Sequence, residues 1–329
     1  MSLIELRNII QDFDISDPWM ARVLQGKERR LLRAVDDVSL SIEKGETYAL
    51  VGESGSGKST IAKIMVGLLN PTAGQVVIDG QPLTVQSRSP QARALRRRLQ
   101  MVFQSPYASL NPRWRVGSLI GEPISAFGLL DDKKAQERRV HELLEMVGLS
   151  SNDANRFPHE FSGGQRQRIC IARVLASEPE IIVCDEPTSA LDVSVQAQVL
   201  NLLRDLQSEL DLSYLFITHD LAVVRQIAHR AGVLYLGQLV EEQSIDDLFA
   251  TPRHPYTQML LEAAPRVDRF NRDFTTDPDA AESPSPINRP SGCPYHTRCE
   301  QAVAACQTVE PSAHSVASGF HRCDVQQTA

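Results

Sequence analysis

The sequence predicts an α/β fold, with a mainly parallel sheet core and helices on both faces. Two observations predict it. An apolar run at 46–51 leads through a glycine-rich loop, 52–60, into a segment with helical spacing, 58–69. After a stretch of different character, apolar runs and helical patterns alternate again from 180 to 237. Strands that alternate with helices build parallel sheets covered on both sides.

Each element has its own signal. "ETYALV" (46–51) is a short strand-like run, and "KSTIAKIMVGLL" (58–69) places Ile61, Ile64, Met65 and Leu68 at helical spacing. Residues 76–83 read as strand and turn, with Asp79-Gly80 as the turn signal. A basic run of Arg93, Arg96, Arg97 and Arg98 reads as a solvated helix face, and apolar "LQMVFQ" (99–104) follows. Residues 105–160 look like a mostly helical insertion. Within it, 131–149 is amphipathic, with Leu143, Leu144 and Val147 on one face and Gly148 placed to end it. "EIIVC" (180–184), "LSYLFIT" (212–218) and "AGVLYLG" (231–237) are strand candidates, and 193–210 is a helix. From about 266 the chain turns polar and acidic, and "SPSPINRPSGCP" (283–294) reads as a semi-rigid linker.

Composition narrows the class. The chain has 329 residues and a formal net charge of -7, which argues against non-specific binding to nucleic acid. No apolar run is long enough for a membrane helix. The N-terminus lacks the basic start and uninterrupted apolar region of a secretory signal, so the expected compartment is the cytosol. Cysteines there are reduced thiols or metal ligands rather than disulfides.

Three strand candidates end in polar residues suited to one reaction. The first runs into Gly52, Glu53, Ser54, Gly55, Ser56, Gly57, Lys58, Ser59 and Thr60, which has the form G-x-x-x-x-G-K-S-T. Such a loop offers backbone N–H groups and a helix N-terminus to phosphates. Lys58 is placed to reach the β- and γ-phosphates and Ser59 to ligate Mg²⁺. The second strand ends in Asp185, a candidate Mg²⁺ ligand, and Glu186, a candidate to orient or deprotonate the attacking water. The third ends in His219, a possible hydrogen-bond donor or transition-state stabiliser. A second anion site begins at Ser162, a good N-cap, where Gly163 and Gly164 expose N–H groups at a helix start.

"FSGGQRQRICIARVL" (161–175) resembles the LSGGQ signature of ATP-binding cassette (ABC) ATPases, with Phe161 where leucine is commonest. The resemblance implies a P-loop NTPase fold with a helical subdomain. It also implies a head-to-tail dimer in which each ATP lies between the glycine loop of one subunit and the signature of the other. Phe161, Ser162, Gly163, Gly164 and Gln165 would then face the partner's ATP. Gln104 in "MVFQSP" looks like the glutamine that senses Mg²⁺ and the γ-phosphate, and His219 matches the switch histidine. Asp192 in "SALD" looks like the D-loop aspartate at the dimer interface, and Phe13 sits where an aromatic usually stacks on adenine.

"SPYASLNPRWRVGSLIGEPI" resembles the surface with which importers grip their membrane subunits. With "SALDVSVQAQVLNLL", "TPRHPYTQMLLEAAPR" (251–266) and "PSPINRPSGCP", it is most similar to the ATPase subunits of bacterial oligopeptide and dipeptide importers. That resemblance implies ATP hydrolysis driving uptake of peptides or a related solute at the cytoplasmic face of the inner membrane. The implied partners are a homologous second ATPase in a heterodimer, two permease subunits and an extracytoplasmic solute-binding protein. The implied domains are a cassette over 1–250 (core 1–103 and 165–250, helical subdomain 104–164) and an extension over 251–329. Residues 16–33 would be a variable insertion. The alternative is a cytosolic non-transport ABC ATPase acting on a macromolecular complex.

Cys293, Cys299, Cys306 and Cys323 crowd the extension. Four clustered thiols in a reduced compartment suggest a metal, although the spacing lacks the tight pairs of many zinc sites. The family carries this pattern in its extension, which implies a 4Fe-4S cluster in preference to zinc. Cys170 and Cys184 stand in apolar surroundings and read as core.

Overall fold

The computed structural model describes residues 2–17, 30–83, 89–263 and 284–325. Most of the expected insertion at 16–33, and the start of the polar tail at 264–283, lie outside the described residues.

The chain opens with two long strands, β1 (Ser2–Asp14) and β2 (Leu31–Glu43), followed by β3 (Thr47–Val51). Helix α1 (Lys58–Met65) leads to β4 (Ala73–Ile78) and β5 (Gln81–Pro82). Then come α2 (Pro90–Arg98) and β6 (Leu99–Val102). The insertion holds α3 (Pro106–Ser109), α4 (Val116–Phe127), α5 (Lys133–Met146) and two short 3₁₀ turns, and it ends at α6 (Gly163–Leu175). The alternation resumes with β7 (Ile181–Asp185), α7 (Val193–Leu210), β8 (Ser213–Thr218), α8 (Leu221–Ile227), β9 (Arg230–Tyr235) and β10 (Gln238–Ser244). It closes with α9 (Ile245–Ala250), α10 (Pro255–Ala263) and, in the tail, β11 (His314–Val316) and β12 (Gly319–His321).

Two sheets form, where the sequence suggested one. The main sheet has the order β11-β12-β10-β9-β3-β8-β7-β6 and is parallel from β9 to β6. The second, β2-β1-β4-β5, is antiparallel. Parallel strands covered on both faces read as continuous apolar runs, and β3, β7 and β8 are buried at every position. Alternate residues of β7 and β8 serve two different cores. Ile181, Val183, Leu215 and Ile217 face the second sheet and α1. Ile182, Cys184, Tyr214 and Phe216 face the insertion helices. Cys170 and Cys184 are buried, and burial lifts the Cys170 thiol to about 11.

The arginine run differs from a simple solvated face. Arg98 forks onto Glu180, with Nε to Oε1 at 2.6 Å and Nη2 to Oε2 at 2.8 Å. Arg97 pairs with Glu178. These pairs tie α2 to the loop before β7.

A third core forms around β9, β10, α9 and α10 and takes in Tyr295, with Cys293 and Cys299 at its margin. The tail is stitched to the main sheet through Glu241 opposite His321 and Glu242 opposite Phe320. His254, only 1% exposed, lies under this junction and accepts a hydrogen bond from the Tyr256 N–H at 3.1 Å. Burial, helped by His321, pushes its pKa from 6.5 down to about 3. The folded form therefore holds it neutral while the unfolded chain protonates it. Stability should fall as pH drops below 6.5, by roughly 2 kcal/mol near pH 5, and stop falling on this account near 3. Thermal unfolding across pH checks this, and a His254→Gln variant should fall less steeply. Parallel curves would assign the acid loss to other groups.

Candidate active site

Strands β6, β7 and β8 are parallel neighbours, so their carboxyl ends emerge side by side. Gln104, Glu186 and His219 lie just past those three ends and meet there. Gln104 Nε2 donates to Glu186 Oε2 at 2.7 Å, and His219 Nδ1 is 3.2 Å from Oε1. Glu186 adopts φ 46°, a left-handed conformation that costs a residue with a side chain about 1–3 kcal/mol. Its N–H donates to the Ile217 carbonyl at 3.0 Å, which fixes the sharp turn off the strand. The carboxylate is thus held by its neighbours at the strand ends, the usual place for a ligand in such sheets.

The glycine loop joins β3 to α1. Gly57 caps the helix at φ 108°, and a Cβ there would stand 2.4 Å from the Ala34 carbonyl oxygen. Only glycine fits both the angle and the close approach. Lys58 is 5% exposed and donates from Nζ to the carbonyls of Gly52 and Glu53, each at 2.8 Å. Burial lowers its pKa, opposed by Glu186, Asp185 and Glu53. Ser59 Oγ donates to Asp185 Oδ1 at 3.1 Å. Burial and the charge of Glu186 raise the Asp185 pKa, and the Ser59 bond lowers it. A carboxylate and a hydroxyl at this spacing are hard oxygen donors of the type Mg²⁺ takes.

The signature helix is α6. Ser162 and Gln165 form a reciprocal cap, with the Gln165 N–H on Ser162 Oγ and the Ser162 N–H on Gln165 Oε1. Both are exposed, whereas Phe161 is 3% exposed and packs into the insertion core. The phenyl ring is therefore a packing residue, and the exposed surface of the signature begins at Ser162. A Cβ on Gly163 would touch Leu191, and one on Gly164 would stand 2.3 Å from Val195 Cγ1. Signature and D-loop are thus packed together. Asp192 and Val193 are exposed beside them, Val193 to 84%. Phe13 is half-buried near the end of β1, opposite Leu32.

Two residues at the loop escaped sequence reasoning. The Tyr256 hydroxyl accepts from the Glu53 N–H at 2.9 Å, and Arg298 grips the Glu53 carboxylate. Their partner is 203 and 245 residues away, so no local pattern could announce them.

The four tail cysteines come together in the fold. Cys293, Cys299, Cys306 and Cys323 line one small cavity of about 20 Å³. Cys293, Cys306 and Cys323 also line an adjoining cavity of about 320 Å³. Among the described residues no group of three or more His, Cys, Asp or Glu side chains is arranged to hold a metal ion. Burial lifts Cys293 to about 11 and also raises Cys299, so both stand as thiols.

A phosphate loop, an acidic strand end and a second, signature-capped helix in one subunit define an ATP-binding cassette. The chain belongs to the ABC transporter family and is an ABC ATPase: the family profile matches residues 35–189, and that of the oligopeptide/dipeptide transporter C-terminal region matches 240–306. It is 50% identical over 310 residues to a putative peptide import ATP-binding protein of Brucella abortus (strain 2308), covering 94% of this chain and 90% of that one. It is 46% identical over 325 residues to the oligopeptide transport ATP-binding protein AppF of Bacillus subtilis (strain 168), covering 98% and 97%. Among solved structures, a dimeric ATP-binding cassette in a post-hydrolysis state bound to ADP and Pi superimposes with a TM-score of 0.63 at 30% identity, covering 74% of this chain and 98% of that one.

Proposed function

We propose that this chain hydrolyses ATP to drive import of di- or oligopeptides or a related solute through separate permease subunits. The carrying observation is the meeting of Gln104 and His219 on the Glu186 carboxylate. Lys58 is proposed to hold the β- and γ-phosphates, with the N–H groups of 52–60. Ser59 and Asp185 would hold Mg²⁺, with Gln104. When bound, that ion supplies charge neutralisation on the phosphates. Glu186 accepts a proton from the attacking water, as the water oxygen bonds to the γ-phosphorus and the bond to the β,γ-bridging oxygen breaks. His219 holds Glu186 in place and stands ready to donate toward the γ-phosphate. Phe13 is assigned to the adenine face.

The exposed signature and the exposed Asp192–Val193 pair support a head-to-tail dimer, with Ser162, Gly163, Gly164 and Gln165 completing the partner's ATP site. The proposed partner is a homologous second ATPase, and two permeases and an extracytoplasmic binding protein complete the importer. The names of the relatives support the solute class. The proposed place is the cytoplasmic face of the membrane, as a peripheral subunit; among the described residues no helix is long and apolar enough to cross it. The proposed division is a cassette over 1–250, with its helical part at 104–164, and an extension over 251–329. Co-purification with two hydrophobic permeases, and ATP-dependent uptake in a peptide screen using the binding protein of the same system, test this reading. Recovery with a soluble macromolecular complex and no permease would replace it.

The finer proposal for the tail is that Cys293, Cys299, Cys306 and Cys323 take up a 4Fe-4S cluster, with zinc as the lesser choice. Anaerobically purified protein should then show iron, acid-labile sulfide and broad visible absorbance. Protein with no iron, sulfide or zinc refutes the metal.

A further inference from the structure

The glycine loop is contacted from the far end of the chain. Glu53, its second residue, is gripped by both terminal nitrogens of Arg298, with Nη1 to Oε2 at 2.8 Å and Nη2 to Oε1 at 2.9 Å. Both side chains are largely shielded, with exposures of 16% and 28%. Arg298 also lies 5.8 Å over the ring of Tyr295. Tyr295 in turn packs against Tyr235 and Tyr256 at 5.3 Å each. The Tyr256 hydroxyl takes the Glu53 N–H, and the Glu53 carbonyl takes Lys58 Nζ. One residue of the loop is therefore held at its side chain, its N–H and its carbonyl, and two of the three holds come from beyond residue 250.

We propose that Arg298 is a positioning residue for ATP, clamping Glu53 so that the loop and Lys58 are set for the phosphates. The inference rests on the reading of 52–60 as the ATP site. Two physical effects act together. A bidentate arginine–carboxylate pair fixes geometry as well as charge. It also neutralises a carboxylate that would otherwise repel an incoming triphosphate, in surroundings where charges are poorly screened. The extension thereby becomes part of the nucleotide site, and Arg298 lies next to Cys299 in sequence.

The test is Mg-ATP binding by calorimetry to the full-length chain, in a Glu186→Gln background so that the ligand is not consumed. Arg298→Ala should weaken binding roughly tenfold, the scale of one charge-assisted pair. Arg298→Lys, which keeps the charge and loses the fork, should fall about threefold, between the two. The double variant Glu53→Gln/Arg298→Ala should bind no worse than the weaker single, because the two residues act as one unit. In the assembled transporter with Glu186 intact, Arg298→Ala should raise KM for ATP while kcat stays within about twofold. Unfolding midpoints without nucleotide separate a general loss of fold. A lowered midpoint with binding within twofold of the parent overturns the proposal, as do additive losses in the double variant. A parent chain that binds no ATP overturns the site reading itself and this inference with it.

Discussion

Replacing Glu186 by glutamine should leave ATP binding intact and remove nearly all turnover. The amide has the same shape and keeps an oxygen for His219 or Gln104, so the strand-end cluster should survive. It cannot accept a proton from water. A general base contributes roughly 10²–10⁴-fold, and phosphate release by the assembled transporter should fall by that factor. The left-handed turn at φ 46° supports a functional reading of this residue, since strain of this kind collects where geometry is under demand. Turnover like that of the wild type would take Glu186 out of the mechanism.

Lys58→Ala should have the next largest effect, through binding rather than chemistry. The ammonium is nearly buried and its two carbonyl partners belong to the loop itself. Its removal deletes a cation aimed at the phosphates and also leaves the Gly52 and Glu53 carbonyls short of a donor. Charge-assisted hydrogen bonds are worth roughly 1.5–3 kcal/mol each, so ATP affinity should drop by about ten- to a hundredfold. Calorimetric titration with Mg-ATP measures it. An unchanged affinity would mean that the loop N–H groups hold the phosphates alone.

Much of the Gln104, Glu186 and His219 cluster was legible because each member announces itself locally. The runs before Gln104, Glu186 and His219 are mainly apolar, since their strands are largely buried on both faces. Such strands show as short hydrophobic segments with a polar stop. The second sheet was missed for the opposite reason. β1 carries Glu5, Arg7, Asn8 and Asp12 between its buried residues, and its pairing with β2 slips at several points. Bulges break the two-residue alternation by which a half-buried strand is recognised. The arginine run misled in a milder way, because charge composition does not reveal that Glu178 and Glu180 wait across the gap.

The cysteine tail marks the boundary most sharply. Spacing alone brought four thiols to notice, and folding does bring them to one cavity. The shape of the space around them is a property of packing, which cysteine spacing does not carry.

By itself the sequence determined the class of the fold, the phosphate loop, the acidic strand end and the signature, because each is a contiguous motif whose chemistry is written in adjacent residues. Tertiary structure alone decided that Glu186 is held by Gln104 and His219. Strand order places residues 82 and 33 positions apart within hydrogen-bonding reach. It alone decided that the loop is clamped from the far end of the chain by Tyr256 and Arg298. A short-range contact between residues so distant leaves no periodic or local trace, so it becomes visible only when the chain has folded back on itself.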